Sequence, residues 1–376
     1  MADVKYTVDM DNDMDNLKIH KTDNESLKKL SEKILDNRLI IFPTESVYKI
    51  GCSIFNPSTI HKLHKIQKPD YDTPITIQCM GFYDASTMTD MTGIEKDIFK
   101  SITGKFWPGN LTILLKANDI IDTSLKTKDG FIYVSASKNH VIQKLLQFSQ
   151  SPIASFSANL SEDIGSTCID HIYNYYSGYD IDVIDDEYVS VDGIEDTIIC
   201  ITNNDISLVR SGIMQFDSIK TYLDENVQNI TFNSYMEYPP YDRVYHNDDI
   251  LKNIILKKPV YKLNFIDFDD LSKNSELIEL TSKYLQNSVL IDFNKLAARY
   301  KDKFVGYVDL SEAGDYKEVL FNIYNIFHQL VYIECEKIFI YNFEQLGNEN
   351  HYNKLIWNKI NSITNGKGIE VPIQFL

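Results

Sequence analysis

Arginine is scarce in this chain. Four residues (Arg38, Arg210, Arg243 and Arg299) stand among 37 Lys and Arg, against 54 Asp and Glu, and the formal net charge is -17. Gripping a phosphate backbone requires clustered basic residues, so this balance excludes a general nucleic-acid binder and leaves room for a local basic pocket around one nucleotide. Cysteine is sparse too. Cys52, Cys79, Cys168, Cys200 and Cys335 show no CxxC spacing, which argues against a disulfide framework or a zinc ribbon and fits a reducing cytosol. No apolar run approaches the roughly 18 residues of a membrane span, and the first residues are acidic (Asp3, Asp9, Asp11, Asp13, Asp15), so neither a membrane span nor a signal peptide is expected. The chain therefore reads as cytoplasmic. Neither GxxxxGK[ST] nor GxGxxG occurs, so a P-loop and a dinucleotide fingerprint are both unsupported. His61 and His64 share a face of an expected helix but lack a third ligand, which makes them a solvated face. The acidic run Asp180–Asp196 lacks the spacing of a calcium loop.

What is present is ample apolar side chain: 376 residues at 43% hydrophobic, more than one core usually holds, so two domains are expected. Residues 1–16 read as a loose tail. A helix is expected from Asn24, a candidate N-cap, with Leu27, Leu30 and Ile34 at helical spacing, and Leu39–Phe42 reads as a buried strand. A second helix starts at Asn56 as cap with Pro57 in the first position. Strands near 76–79, 112–116, 131–135, 153–156, 197–201 and 206–209, with a helix near 140–148, complete an α/β domain spanning 17–216. Residues 217–250, with Pro239-Pro240, read as a linker. Strands near 260–263, 288–291, 304–308 and 337–341, alternating with helices near 271–285, 316–330 and 351–363, give a smaller Rossmann-like α/β domain over 251–376.

The most informative string is Phe42-Pro43-Thr44-Glu45-Ser46-Val47-Tyr48-Lys49-Ile50-Gly51-Cys52, a buried strand that runs into hydroxyls, a carboxylate and a tyrosine, as a scaffold presents polar groups at a strand end. Two more rare strings follow, Phe106-Trp107-Pro108-Gly109-Asn110-Leu111-Thr112 and Ser157-Ala158-Asn159. Together they resemble the YrdC family of threonylcarbamoyl-AMP synthases, with its PTETVYGLG-like loop, KxRP, FWPGPLT, VRxPDH, PSAN, ESTIVD-like and RPGAI elements. Gly193-Ile194-Glu195-Asp196-Thr197-Ile198-Ile199 and Leu208-Val209-Arg210-Ser211-Gly212-Ile213 match the last two more loosely. Leu310-Ser311-Glu312-Ala313-Gly314-Asp315, Leu320-Phe321 and Leu346-Gly347-Asn348 resemble elements of the second domain in the family's longer, two-domain branch.

The resemblance implies a YrdC-like twisted mixed α/β sheet domain followed by the Rossmann-like one. It implies a nucleotidyltransferase that makes threonylcarbamoyl-adenylate from L-threonine, bicarbonate and ATP with Mg2+, for t6A modification of tRNA. It places Thr44, Ser46 and Tyr48 at the amino-acid pocket, with Thr44, Tyr48 and Lys68 as catalytic candidates, and Ser157, Asn159, Thr197 and Arg210 at the nucleotide. Proteins that transfer the threonylcarbamoyl group are the implied partners, and no stable tRNA or membrane contact is implied. The chain also departs from the family pattern. KxRP is Ile66-Gln67-Lys68-Pro69, the arginine of VRxPDH is Ala136, the proline of PSAN is Phe156, and Lys49 replaces a glycine. Lys49 and Lys138 either point to solvent or enter the pocket as substitute cations. Pro240-Tyr241-Asp242-Arg243-Val244-Tyr245-His246 is reminiscent of the family's lid-forming linker. Two alternatives therefore stand beside the synthase: a degenerate relative that binds nucleotide, RNA or protein without turnover, and an enzyme with a changed acceptor.

Overall fold

The computed structural model describes residues 17–66, 75–158, 165–186, 195–233, 258–266, 285–330, 332–346, 350–364 and 368–372. Among these, the first part of the chain forms β1 (Lys18–His20), α1 (Asn24–Leu35), β2 (Ile40–Phe42), β3 (Lys49–Ser53), α2 (Pro57–Ile66), β4 (Thr76–Gln78), α3 (Phe82–Thr87) and α4 (Ile94–Phe106). It continues with β5 (Leu111–Lys116), β6 (Phe131–Ser135), α5 (His140–Ser149), β7 (Ile153–Ser157), α6 (Ile169–Tyr176), β8 (Asp182–Ile184), β9 (Thr197–Thr202), β10 (Asp205–Arg210), α7 (Phe216–Asn226) and β11 (Thr231–Asn233). The strands make one mixed sheet in the order β1-β8-β2-β3-β7-β4-β6-β5-β9-β10-β11.

Local chemistry sets the helix ends. The cap of α1 is Asp23, one residue before the expected Asn24: its Oδ1 accepts the Ser26 N–H at 2.9 Å, and Leu27, Leu30 and Ile34 turn inward. The Asn56 cap is as expected, with Oδ1 accepting the Thr59 N–H at 3.1 Å and Pro57 opening α2. The expected linker is corrected in its first part. Residues 216–226 are helical and 231–233 pair in parallel with β10, because Phe216, Ile219 and Leu223 recur at helical spacing and bury against the first core. Residues 234–250 of that linker, including Arg243, lie outside the described residues.

Strand alternation separates the faces of the central sheet. Ile50, Cys52, Ile77, Ile113, Val134, Ala154 and Phe156 share the main core. On the other face, register places Lys49 beside Ser157, Ser155 beside Thr76, and Gln78, Ser135 and Thr112 in one row across β4, β6 and β5. Helices α1 and α5 close one side of that face, with Leu30, Ile34, Ile142 and Leu146 packed on Phe42 and Ile153.

The second domain comprises β12 (Val260–Ile266), β13 (Ser288–Asp292), β14 (Gly306–Asp309), α8 (Tyr316–Leu330), β15 (Lys337–Tyr341), α9 (His351–Thr364) and β16 (Gly368–Pro372). Its sheet, ordered β14-β13-β15-β12-β16, is parallel throughout, which agrees with the Rossmann-like expectation. The expected helix near 271–285 lies almost entirely outside the described residues. The two domains meet through side chains: His171 of α6 stacks on His328 of α8 with centroids 3.5 Å apart, and Ile213 packs on the second core.

Candidate active site

Four of the sequence strings converge at one end of the polar sheet face. In the first, Thr44 Oγ1 donates to the Val47 carbonyl at 2.7 Å and accepts the N–H groups of Ser46 and Val47 at 3.2 and 3.3 Å. This hydroxyl-closed turn projects Glu45 across to the loop after β6. There Glu45 accepts hydrogen bonds from Ser137 Oγ and, at 3.2 Å, from the Lys138 N–H. That loop in turn joins the Trp-Pro-Gly-Asn string: the Gly109 N–H donates to the Ala136 carbonyl at 2.8 Å, and Lys138 Nζ donates to Asn110 Oδ1 at 3.2 Å. Trp107 Nε1 ties the string to the Leu111 carbonyl at 2.7 Å. The Thr197 N–H then donates to the Asn110 carbonyl at 3.2 Å, bringing in Glu195 and Asp196, which lead into β9.

Asp196 is the electrostatic centre of this end. Its Oδ2 accepts from Thr112 Oγ1 at 3.1 Å, while Oδ1, buried, has no partner among the described residues. Burial pushes its carboxyl up to about 6; Lys49 opposes this, Glu45 adds to it and Arg210 opposes it. The charges of Lys49 and Arg210 thus both act on this carboxyl. Gln78 and Ser135, on the same face and 0% and 1% exposed, also have buried polar atoms with no partner among the described residues, as does Asn110 Nδ2. A buried donor or acceptor left unmade costs about 1–3 kcal/mol, so several on one face mark a surface that a polar ligand or water would satisfy.

The expected site residues divide accordingly. Thr44 and Ser46 border this end, although the Thr44 hydroxyl is occupied by its own turn. Ser157 lies on the polar face, paired with Lys49. Arg210 reaches it with Nε and Nη2 donating to the Asp196 carbonyl at 3.2 and 3.0 Å. Tyr48 does not border the pocket. It alternates to the apolar face, 1% exposed, with its hydroxyl against the Asp186 N–H at 3.5 Å and burial pushing its pKa upward. Thr197 is likewise structural, fully buried, donating to the Met214 carbonyl at 2.5 Å and accepting the Gly212 N–H at 3.0 Å. Lys68 and Asn159 lie outside the described residues. Phe156 packs in the core and leaves the polar face clear, while Ile66 packs against that core where the family pattern has lysine. His64 bonds the Ser124 carbonyl at 2.9 Å, and among the described residues no group of three His, Cys, Asp or Glu is placed to hold a metal.

Glu45 and Asp196 are the site residues that motif reading passed over. Both sit inside quoted strings; for Glu45 the available signal was an acidic side chain between the hydroxyls of Thr44 and Ser46 after a strand, and for Asp196 an acidic pair leading into the strand that starts at Thr197. Residue 195 beside them is reached from the second domain. Glu195 Oε1 accepts from Tyr324 Oη at 2.9 Å and from Lys359 Nζ at 3.2 Å.

Comparison with known proteins places this site in context. Residues 32–212 match the sequence model of the Sua5/YciO/YrdC family, whose description reads telomere recombination. A threonylcarbamoyl-AMP synthase of Pyrococcus abyssi is 24% identical over 192 residues, 51% of this chain and 55% of that protein. One from Bacillus subtilis is 24% identical over 203 residues, 54% of this chain and 58% of that protein. The chain thus spans a little over half the length of these two relatives. A putative threonylcarbamoyl-AMP synthase of Methanocaldococcus jannaschii is 27% identical over 215 residues, 54% of this chain and 95% of that protein. A solved structure of P. abyssi Sua5 complexed with L-threonine superposes with a TM-score of 0.72 at 18% identity, covering 95% of this chain and 99% of that one, which extends the shared fold to both domains. The matched strings, the mixed sheet and the two-domain fold agree: over residues 32–212 the chain is similar to the Sua5/YciO/YrdC family, at low identity.

Proposed function

We propose that this protein is a nucleotidyltransferase of the threonylcarbamoyl-AMP synthase type. The observation that carries the reading is the convergence of Lys49, Arg210, Ser157 and unpartnered buried polar atoms on one sheet face, at the junction of the four family strings. In the reaction, the threonine amine adds to the carbon of bicarbonate with loss of water, giving a carbamate. A carbamate oxygen then attacks the α-phosphorus of ATP, forming the P–O bond as the bond to pyrophosphate breaks. Both steps gather anions, and converging cations at fixed positions lower that cost. Lys49 and Arg210 supply the charge, Ser157 and Asn159 bind the nucleotide, Thr44 and Ser46 border the amino acid, and Lys68 adds a further cation. Asp196 Oδ1, a carboxylate oxygen without a partner among the described residues, would hold a magnesium ion accompanying the triphosphate, which would offset phosphate charge; Mg2+ commonly takes one or two carboxylates plus phosphates. The product serves t6A formation in tRNA, passed on to cytoplasmic transfer proteins.

The test is incubation of purified protein with ATP, bicarbonate and labelled threonine. ATP-dependent labelled adenylate and pyrophosphate are expected; label no higher than in a heat-killed control would refute the synthase reading. Partly buried Ile66 and buried Ala136 at positions where the family carries cations favour one second reading, a relative that binds nucleotide without turnover. It predicts ATP binding with no adenylate formed.

A further inference from the structure

Arg210 has two acidic neighbours in sequence contact with its site, Glu195 and Asp196, and a guanidinium that serves a phosphate must not be neutralised by either. The Asp196 carboxyl is engaged by Thr112, and the Lys49 charge acts on it. Glu195 is engaged by the second domain. Tyr324 on α8 and Lys359 on α9 both donate to Glu195 Oε1, Lys359 also donates to the Tyr324 hydroxyl, and its ammonium lies 4.5 Å from the centroid of that ring. The Lys359 side chain is 11% exposed, so the pair is partly withdrawn from solvent. Against its burial, the charge of Lys359 first and of Arg210 second stabilises the Glu195 carboxylate. Around this pair the second domain also grips the turn after β10. His351 Nε2 lies 3.1 Å from the Gly212 carbonyl, the Ile213 N–H donates to the Glu195 carbonyl at 3.3 Å, and Ile213 enters the second core.

We propose that Lys359 and Tyr324 are positioning residues for Arg210: by engaging the Glu195 carboxylate they keep it from pairing with the Arg210 guanidinium, which is anchored on the Asp196 carbonyl through Nε and Nη2 and keeps its remaining N–H groups for an anionic ligand, so the second domain sets the phosphate affinity of the first domain's site. The inference rests on the nucleotide reading above. With Lys359 removed, Arg210 is left as the next charge acting on Glu195, and a carboxylate–guanidinium pair competes with phosphate for the same donors.

Calorimetric titration of the full-length chain with ATP and, separately, adenosine tests this. Lys359→Met is expected to weaken ATP binding about tenfold while leaving adenosine affinity unchanged, since only the phosphates meet Arg210. Lys359→Arg, which keeps the charge, is expected to restore ATP binding. Tyr324→Phe, which keeps the ring and removes one bond to Glu195, is expected to weaken ATP binding about threefold, and it carries the test should Lys359→Met fail to fold. Equal ATP affinity in wild type and the folded variants, or an equal loss for ATP and adenosine, overturns the proposal and leaves a structural clamp. A wild-type chain that binds adenosine and ATP equally, or neither, overturns the nucleotide reading itself and this inference with it.

Discussion

At the scale of single residues the site is a balance of charge held out of water. Asp196 has a carboxyl pushed up to about 6 by burial, with Lys49 as the foremost opposing charge. In the folded protein it therefore holds a proton that the unfolded chain has released, across the interval from an ordinary aspartate to about 6. A raised carboxyl contributes stability at low pH that is lost as pH rises through its folded value. Asp196→Asn, which stays neutral, is expected to stabilise the protein by on the order of 1–2 kcal/mol at pH 7.5, with the gain vanishing near pH 4. Chemical denaturation at both pH values measures it, and an equal gain at each would remove the charge from the explanation. Lys49→Met acts in the opposite sense on ligand. It removes one cation from the converging face, and ATP affinity is expected to fall about tenfold, read by the same calorimetry as above. These residues were only half legible. Lys49 lies in a recognisable string, but its side depends on the alternation of β3, and the partners of Glu45, Ser137 and Lys138, stand more than ninety residues away.

At the scale of elements, legibility follows period and length. Helices with inward residues at three- and four-residue spacing (α1, α5, α8 and α9) and the apolar strands β5, β6 and β15 were expected close to where they occur. Strands of three residues, β1 and β8, have no room for a period, and β8 hides in an acidic run whose Asp182 is buried against His20 and Lys33. The same shortage of signal obscured β3, whose Lys-Ile-Gly-Cys-Ser alternates with only two apolar residues, and with it the side on which Tyr48 and Lys49 fall. The turn after β10 makes the element-scale prediction. A Cβ on Gly212 would stand 2.4 Å from the Glu195 carbonyl oxygen and the backbone of Asp196 and Thr197, atoms that cannot retreat as a side-chain tip would. Gly212→Ala is expected to destabilise the fold by roughly 1–3 kcal/mol through overpacking. Denaturant unfolding measures that, and a midpoint equal to wild type would show that the close approach is relaxed in solution.

At the scale of the whole molecule, the two domains share more than a covalent connection, and their contact is sensitive to acid. His171 and His328 stack across the interface at 3.5 Å, each ring nearly buried. His171 Nδ1 accepts the Thr167 N–H at 3.2 Å, which requires the neutral ring at that nitrogen. Burial, and then the neighbouring His328, hold His171 down at about 3 against an ordinary 6.5. Between those values the unfolded or undocked chain binds the proton and the docked chain does not, so docking is favoured fully above about 6.5 and loses ground as pH falls below it. By pH 5 the accumulated cost is roughly 2 kcal/mol, at 1.36 kcal/mol for each unit below the ordinary value. His171→Phe keeps an aromatic face against His328 and removes the titrating ring. The variant is expected to lose less thermal stability than wild type between pH 7.5 and pH 5, by several degrees. Because the same α8 carries Tyr324 to Glu195, ATP affinity at pH 5 should also fall less in the variant; parallel pH profiles in both measurements would sever the histidine stack from domain docking.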